Sequence, residues 1–367
     1  MAVIGMLYSA ENIRETIPKV TILREGVIGW RIVMKVRTLL FILVVSLLGA
    51  CALDAQTDRD NALLVLAKDD NTLLVANPAS LKVTAKFPVG PDPHEVIASS
   101  DGTTAYVSNY GDAYNTLTVV DLSAKKVLPV IDLGGLRGAH GLAFVGGRVW
   151  FTAEGAKAIG SYDPTTKRVD WIMGTGQNRT HIIYVSPELN KIVTTNVDSA
   201  NVSIMEKTGG AAGTGPLTGE WNETVVPVGR GSEGFDVSPD GKEIWVANSD
   251  DGTVSIIDVA SKKVIDTLAA NVKGANRLKF TPDGNSAFIS SLSQPYVTVL
   301  DRATRKEVKR IKVGSGAAGV LVQPDGSRVY VACSPDGYVA VIDLHSLEVV
   351  GRIEAGQDPD GLAWVGH

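Results

Sequence analysis

Short segments in which apolar and polar residues alternate recur from residue 60 to residue 367, and this period of two predicts β-strands. Several strand pairs are joined by an Asp-Gly turn, which provides the positive φ that tight hairpins need. Three of the turn aspartates, Asp240, Asp283 and Asp325, are separated by 43 and 42 residues. Four strands in each such repeat, with no helical period between them, are typical of a propeller blade rather than of a βαβ unit.

Six complete repeats and two partial ones fit the chain. The complete repeats begin near residues 90, 135, 177, 230, 272 and 315. Residues 60–90 hold three further strand-like segments, and residues 357–367 hold one. Joined together, these two ends make a seventh blade and leave the ring without an exposed edge. The sequence therefore predicts an all-β, seven-bladed β-propeller over residues 60–367, closed by pairing of N- and C-terminal strands in one blade.

The second strand of each repeat has a recurring composition. It reads Ala105-Tyr-Val-Ser-Asn109 in the first complete repeat, Ile244-Trp-Val-Ala-Asn248 in the fourth and Val329-Tyr-Val-Ala-Cys333 in the sixth. In these segments the chain resembles the YVTN-repeat family of seven-bladed β-propellers. The resemblance covers about residues 60–367 and implies the fold, whereas a function has to be argued from a site.

Two other recurring patterns are interpreted as structural. The third strand of most repeats ends on an aspartate that is expected to cap the following turn. These aspartates are Asp121, Asp163, Asp258, Asp301 and Asp343.

The segment 314–319 matches the dinucleotide pattern Gly-x-Gly-x-x-Gly, but it follows an outer strand and opens an inner one. Nucleotide binding is not expected there, because that chemistry needs a helix N-terminus.

Composition agrees with one large β domain, since 44% of the 367 residues are hydrophobic and 38 are glycine. The net charge is −5 and no basic stripe is present, so nucleic acid is not expected as a partner. The only two cysteines, Cys51 and Cys333, cannot form a cysteine-rich zinc site. A monomer is expected.

The N-terminal region predicts export. Residues 34–51 have the order of a signal peptide: a basic start, an apolar segment and the lipobox-like end Leu48-Gly-Ala-Cys51. Residues 1–33 are interpreted as an upstream extension before a start at Met34, and residues 52–59 as a linker. Lipidation of Cys51 would give a periplasmic or outer-membrane-anchored protein that touches the membrane only through its lipid. Simple secretory cleavage, for example after Ala55, is the alternative.

Three of the five histidines share one repeat position. In the alignment on the turns, each lies seven residues before the turn residue, at the predicted start of an innermost strand. This position is occupied in the seven blades by His94, His140, His181, Glu233, Asn276, Ala318 and Asp360. If the repeats close into a ring, these residues surround one mouth of the central channel.

These residue types allow three interpretations. In the first, imidazole and carboxylate groups bind a divalent metal ion, with a metal set of His94, His140, His181, Glu233 and Asp360. In the second, an organic ligand is recognised without metal by the same residues together with Asn276. In the third, the polar side chains only line a wet channel, and water or backbone carbonyls satisfy the histidines.

A second resemblance concerns a single blade. The segments Gly138-Ala-His-Gly-Leu142 and Val149-Trp-Phe-Thr-Ala-Glu154 are similar to a blade of the streptogramin B lyase family, a metal-dependent propeller family. Glu233, Asn276 and Asp360 resemble the ligands of gluconolactonase-type propellers. These resemblances imply lactone or ester chemistry with His140 or His181 as catalytic base and a cation that polarises the carbonyl.

The sequence therefore leaves two function classes open. One is an exported cell-envelope propeller that binds a protein partner or a small ligand at the top of the channel, with or without a metal. The other is a metal-dependent lactonase or lyase acting on a cyclic ester. The uniform repeats favour the first class, and the three histidines at one position favour the second.

The Cys51→Ala variant should lose membrane anchoring while the propeller still folds, because only the processing motif is changed. Membrane fractionation of cells that express parent and variant measures this directly. Equal membrane retention of the two proteins would contradict lipidation of Cys51. A matched variant that lacks residues 1–33 should fractionate and melt like the parent protein.

Overall fold

The computed structural model describes residues 61–111, 114–209 and 219–366. The predicted extension 1–33, signal peptide 34–51 with Cys51, and linker 52–59 lie outside the described residues. The described residues form seven four-stranded antiparallel sheets arranged as the blades of a propeller. The predicted fold class is confirmed. None of the described helices is long and apolar enough to span a membrane.

The strands follow one another in chain order, with four strands to a blade. The first fifteen are β1 (Ala62–Ala67), β2 (Thr72–Asn77), β3 (Lys82–Pro88), β4 (Pro93–Ala98), β5 (Thr104–Asn109), β6 (Thr116–Asp121), β7 (Lys126–Asp132), β8 (Ala139–Val145), β9 (Arg148–Ala153), β10 (Ala158–Asp163), β11 (Arg168–Gly174), β12 (Thr180–Val185), β13 (Lys191–Asn196), β14 (Asn201–Thr208) and β15 (Glu220–Pro227). Blade 1 contains β4 to β7, blade 2 contains β8 to β11, and blade 3 contains β12 to β15.

The remaining strands build blades 4 to 7. They are β16 (Ser232–Val237), β17 (Glu243–Asn248), β18 (Thr253–Asp258), β19 (Lys263–Leu268), β20 (Ala275–Phe280), β21 (Ser286–Ser291), β22 (Tyr296–Asp301), β23 (Lys306–Lys312), β24 (Ala317–Val322), β25 (Arg328–Cys333), β26 (Tyr338–Asp343), β27 (Glu348–Glu354) and β28 (Pro359–Val365). Blades 4, 5 and 6 take four consecutive strands each, and blade 7 has the order β28-β1-β2-β3.

The turns form as their residues predict. The glycines of the Asp-Gly turns have φ values near 70°, and Gly102 and Gly241 are examples. The aspartates that end the third strands accept hydrogen bonds from backbone N–H groups two or three residues later. Asp121 accepts one from Ala124 at 2.7 Å, and the other four aspartates make the same contact. The prediction that these acids cap turns is confirmed for all five.

The apolar core lies between neighbouring blades. Between blades 5 and 6, for example, Phe288 and Val297 pack against Val329 and Val331. The two middle strands of each sheet contribute most of the buried residues, whereas the outermost strands alternate exposed and partly buried residues. Each blade therefore buries its apolar faces only when both neighbours are present.

The ring closes in blade 7. Strand β28, near the C-terminal end of the chain, pairs with β1, with Ala62 opposite Val365 and Val65 opposite Leu362. Val65 has no exposed surface. The innermost strand of this blade therefore comes from the end of the chain and its three outer strands from residues 62–88, as the sequence predicted.

A β-bulge recurs near the start of the innermost strand in every blade. In blade 1, Pro93 pairs with Asn109 and Val96 pairs with Val107, so two residues, His94 and Glu95, lie opposite one. The same shift occurs in the other six blades. A bulge bends the strand and redirects its side chains. This feature places both bulged residues of each blade at the central channel.

Truncation of the chain after Gly356 should prevent folding or lower the unfolding midpoint by roughly 10 °C or more, because the loss of β28 opens the ring and uncovers the strand edge of β1. Thermal unfolding followed by circular dichroism measures this effect. A truncation after Val365, which keeps all of β28, is the matched control and should melt like the parent. Equal melting of the two truncated proteins would contradict closure through β28.

Candidate functional site

The first bulged residue of each blade forms a ring at the top of the channel, which we call the mouth ring. Its members are His94, His140, His181, Glu233, Asn276, Ala318 and Asp360. The rings of His140 and His181 stack with centroids 3.7 Å apart, and the centroid of His94 lies 5.4 Å from that of His140. The structure thus brings the three histidines of blades 1 to 3 into one cluster.

His181 lies between two carboxylates. Its Nδ1 is 2.5 Å from Oε1 of Glu154, and its Nε2 is 2.9 Å from Oε1 of Glu233, although without the geometry of a hydrogen bond. The hydroxyl of Tyr110 donates a hydrogen bond of 2.7 Å to the other oxygen of Glu154. These four residues and His140 form what we call the histidine network.

Arg179 joins the two carboxylates of this network. Its guanidinium lies 3.5 Å from Glu233 and 4.0 Å from Glu154. Its backbone is left-handed, with φ of 55°. The equivalent residues of the other blades also have positive φ, and they are Asp92, Gly138, Gly231, Gly274, Gly316 and Asp358. A non-glycine residue in this conformation carries strain, and such residues concentrate at functional sites.

A threonine on the second strand fixes the position of His181. The hydroxyl of Thr152 accepts a hydrogen bond of 2.8 Å from the bulged N–H of Gly141 and donates one of 2.7 Å to the carbonyl of His181 in the next blade. Thr195 donates in the same way to the carbonyl of Glu233 at 2.8 Å. In blades 2, 3 and 5, the Ser or Thr of the second strand therefore donates a hydrogen bond to the mouth-ring carbonyl of the next blade.

The surroundings of the two stacked histidines shift their pKa values in opposite directions. Burial lowers the pKa of His140, and the nearby positive charges, His181 first, lower it further. Burial also opposes protonation of His181, but Glu233 and Glu154 outweigh it and raise the pKa of that imidazole. Burial would raise the pKa of Glu233, yet His181 and Arg179 lower it to about 2. His181 therefore binds a proton more readily than His140, on which it stacks.

The histidines differ in access to solvent. His140 and His181, predicted as catalytic, are 1% and 2% exposed, whereas the side chain of His94 is 17% exposed. Nδ1 of His94 lies 3.2 Å from the carbonyl oxygen of Asp92. A proton on Nδ1 satisfies this contact and leaves Nε2 as the nitrogen that can accept a proton. His94 is therefore the histidine of the cluster that is most accessible from solvent.

The other predicted residues lie away from the histidine network. Asp360 pairs with Lys68 at 3.2 Å, and its second oxygen has no hydrogen-bond partner. The side-chain oxygen of Asn276 accepts a hydrogen bond of 3.1 Å from Arg277. Ala318 offers no polar side-chain group. Two residues of the predicted metal set, His140 and His181, belong to a group whose ligand atoms lie close enough together to bind one ion. Glu233, His94 and Asp360 do not belong to that group.

The channel is divided below the mouth ring. Glu95 of blade 1 and Arg277 of blade 5, both second residues of their bulges, form an ion pair across the axis. In the other blades the second bulged residue is small or apolar, and four of them are glycines. Below this pair the channel holds a cavity of about 320 Å³ with apolar walls that include Phe235 and Trp364.

A second, open cavity of about 530 Å³ lies beside the histidine network on the top face. Arg179 and Glu233 form the part of its wall that belongs to the site. The remaining lining residues come from blades 3 to 5 and include Asp198, Arg230, Asp250 and Leu292. A molecule in this cavity would contact the histidine network from solvent.

The register in the sequence did not identify Tyr110, Glu154, Arg179 or Lys68. Three of them share another repeat position, directly after the second strand: Lys68 follows β1, Tyr110 follows β5 and Glu154 follows β9. A search for polar residues at this second position would have found them. Arg179 could have been found as a non-glycine residue at a position that is glycine in four blades.

No protein-family model matches the chain, and no curated protein matches it. Solved structures of similar shape include a protein of unknown function from Desulfotomaculum acetoxidans and a candidate 6-phosphogluconolactonase from Bacteroides uniformis. Each has 14% identity and a TM-score of 0.69 over 83% of this chain and 99% of the other. Hydrazine synthase from Kuenenia stuttgartiensis has 19% identity and a TM-score of 0.63 over 77% and 92%. These likenesses establish the fold alone, and the resemblances to the YVTN-repeat and streptogramin B lyase families stay predictions.

The Thr152→Val variant should lower the free energy of unfolding by about 1–3 kcal/mol, because the N–H of Gly141 and the carbonyl of His181 lose their buried partner. Chemical denaturation with urea measures this loss. The Thr152→Ser variant keeps the hydroxyl and should retain most of the stability. If the two variants were equally destabilised, the hydroxyl bridge would not be what holds this position.

Proposed function

We propose that the protein binds a small, hydroxyl-rich ligand at the top of its central channel. The observation that carries this proposal is the open cavity of about 530 Å³, because two groups of the buried site, Arg179 and Glu233, form part of its wall. Small-molecule sites commonly have volumes of roughly 300–1,000 Å³ and a few converging polar groups. The cavity satisfies both conditions.

The wall of the cavity has the chemistry to recognise hydroxyl groups. The carboxylates of Asp198, Asp250 and Glu233 can accept hydrogen bonds, and the guanidinium of Arg179 can donate them. N–H groups of Arg179 remain available to a ligand, because its contacts with the two network carboxylates are 3.5 and 4.0 Å long. The exposed side chain of Leu292 adds an apolar surface. Sugar acids and their lactones match this mixture of donors, acceptors and apolar wall.

Hydrolysis of a lactone is the second candidate function. The contact between His94 and Asp92 favours it, because it leaves Nε2 of a partly exposed imidazole as a proton acceptor at the mouth. Two of the solved structures of similar shape are candidate 6-phosphogluconolactonases, with 14% and 15% identity. Their names supply the probe with which this activity is best tested. In this proposal His94 replaces His140 and His181 as the base.

The proposed location follows from the N-terminal sequence. A signal peptide at residues 34–51 with a lipobox-like end supports an exported protein anchored through Cys51 in the cell envelope. A ligand would then reach the top of the channel from the envelope compartment.

The Arg179→Gly variant tests the ligand proposal. It removes the guanidinium and gives the position the residue found in four other blades, so the protein should fold with an unfolding midpoint close to that of the parent. Calorimetric titration with gluconate and 6-phosphogluconate should show saturable binding to the parent and about tenfold or more weaker binding to the variant. Arg168→Gln, on the exposed outer strand β11, is the control and should bind like the parent.

The same proteins distinguish binding from catalysis. If lactone hydrolysis occurs, the parent should release acid from 6-phosphogluconolactone in a pH-stat, and His94→Gln should lose this activity while retaining gluconate binding. Ligand binding without acid release would support the binding function and exclude lactone hydrolysis. If no probe binds, or if Arg179→Gly binds as well as the parent, the cavity is not a site for hydroxyl-rich ligands.

A further inference from the structure

The geometry points to a binding site for one divalent transition-metal ion, held by His140, Glu154 and His181 at the mouth of the channel. Each side chain offers one ligand atom, and the three atoms lie within 4.8 Å of one another. Two imidazole nitrogens and one carboxylate oxygen suit Zn²⁺, Fe²⁺, Co²⁺ or Ni²⁺, whereas Ca²⁺ and Mg²⁺ prefer oxygen ligands. The inference concerns the proposed ligand site but does not depend on which ligand binds there.

His140 has a ring nitrogen without a partner. Its Nδ1 makes no hydrogen bond, and the residue is only 1% exposed. Buried polar atoms are nearly always bonded, because an unsatisfied one costs about 1–3 kcal/mol. A bound ion would give this nitrogen a partner. The ligand atoms of His140 and His181 lie within 4.8 Å of each other, so both residues can bind the same ion.

The contact between His181 and Glu154 supplies the other two ligand atoms. Nδ1 of His181 and Oε1 of Glu154 are 2.5 Å apart and can share one proton. An ion would displace this proton from between them. Because metal–ligand bonds are about 2.0–2.2 Å long, two ligand atoms on one tetrahedral ion lie about 3.3–3.6 Å apart. The side chains therefore need to separate by about 1 Å.

Neighbouring groups orient these ligands as they do in known metal sites. The second nitrogen of His181 is 2.9 Å from Glu233, and the second oxygen of Glu154 accepts a hydrogen bond from Tyr110 at 2.7 Å. A carboxylate behind a metal-bound histidine fixes the orientation of the ring and raises its basicity. The atoms of His181 and Glu154 that face away from the proposed ion thus lie next to groups that can orient them.

Three protein ligands leave at least one coordination position free, which is typical of catalytic rather than structural metal sites. His94 is the nearest remaining histidine, with its ring centroid 5.4 Å from that of His140. Glu233 connects the network to the open cavity. A ligand in this cavity would contact Glu233, which lies 2.9 Å from the proposed metal ligand His181.

Calorimetric titration of the full-length protein with Zn²⁺ and Co²⁺, after removal of metal with a chelator, tests the inference. The parent should bind one ion, and the absorption bands of bound Co²⁺ should report its coordination. His140→Ala and Glu154→Gln should each bind about tenfold or more weakly. Glu154→Gln keeps the shape of the side chain, so it tests the site even if His140→Ala is destabilised.

His345→Ala is the matched control, because His345 is an exposed histidine outside the site, and it should bind metal like the parent. Absence of a 1:1 complex in the parent, or unchanged affinity in both site variants, would overturn the inference. Titration of the parent with gluconate in excess chelator separates this result from the proposed function. If gluconate binds without metal, the proposed ligand site is supported whatever the result for metal. If metal binds but gluconate does not, the metal site is supported and the proposed function is contradicted.

Discussion

Seven strands approach one narrow axis, and the crowding around this axis is the constraint on which the rest of the structure depends. A side chain at Gly141 or Gly319 would collide with the backbone of the next blade, at His181 or Asp360. In this crowded region, the bulge at the start of each innermost strand turns two residues toward the channel. The identity of those two residues in each blade therefore decides what the channel can do. Apolar packing between the blades holds this arrangement, but the mouth ring differs from blade to blade.

The histidine network is costly for a protein that needs only a stable ring. Taking a charged group out of water costs several kcal/mol unless partners compensate for it. Groups of opposite charge lie together in the network, because Arg179 and His181, whose pKa is raised, both lie next to Glu233. Ala318 shows that a small apolar residue is accepted at the same repeat position in blade 6. Closure of the ring alone therefore does not require the charges of the histidine network.

The two sides of the mouth differ in chemistry. Blades 1 to 4 supply the histidines with their carboxylates, whereas on the other side Lys68 of blade 7 holds Asp360. The open cavity adjoins the histidine side, and the ion pair between Glu95 and Arg277 separates the mouth from the lower channel. A ligand would therefore meet the site from the top face. The repeats are similar in sequence, but the polar groups at the mouth of the channel are distributed asymmetrically around the axis.

The sequence by itself determined the fold, the closure of blade 7 and the membership of the mouth ring. It could do so because each blade is a local unit, and residues at one repeat position occupy one position around the axis. It could not identify Glu154 as a partner of His181, or Arg179 as a partner of Glu154, because these residues occupy other repeat positions and meet only where loops of neighbouring blades converge. It also could not show that His140 and His181 are buried while His94 remains accessible. Spacing along the chain gives the position of a residue around the ring, whereas exposure and partners depend on how neighbouring blades pack.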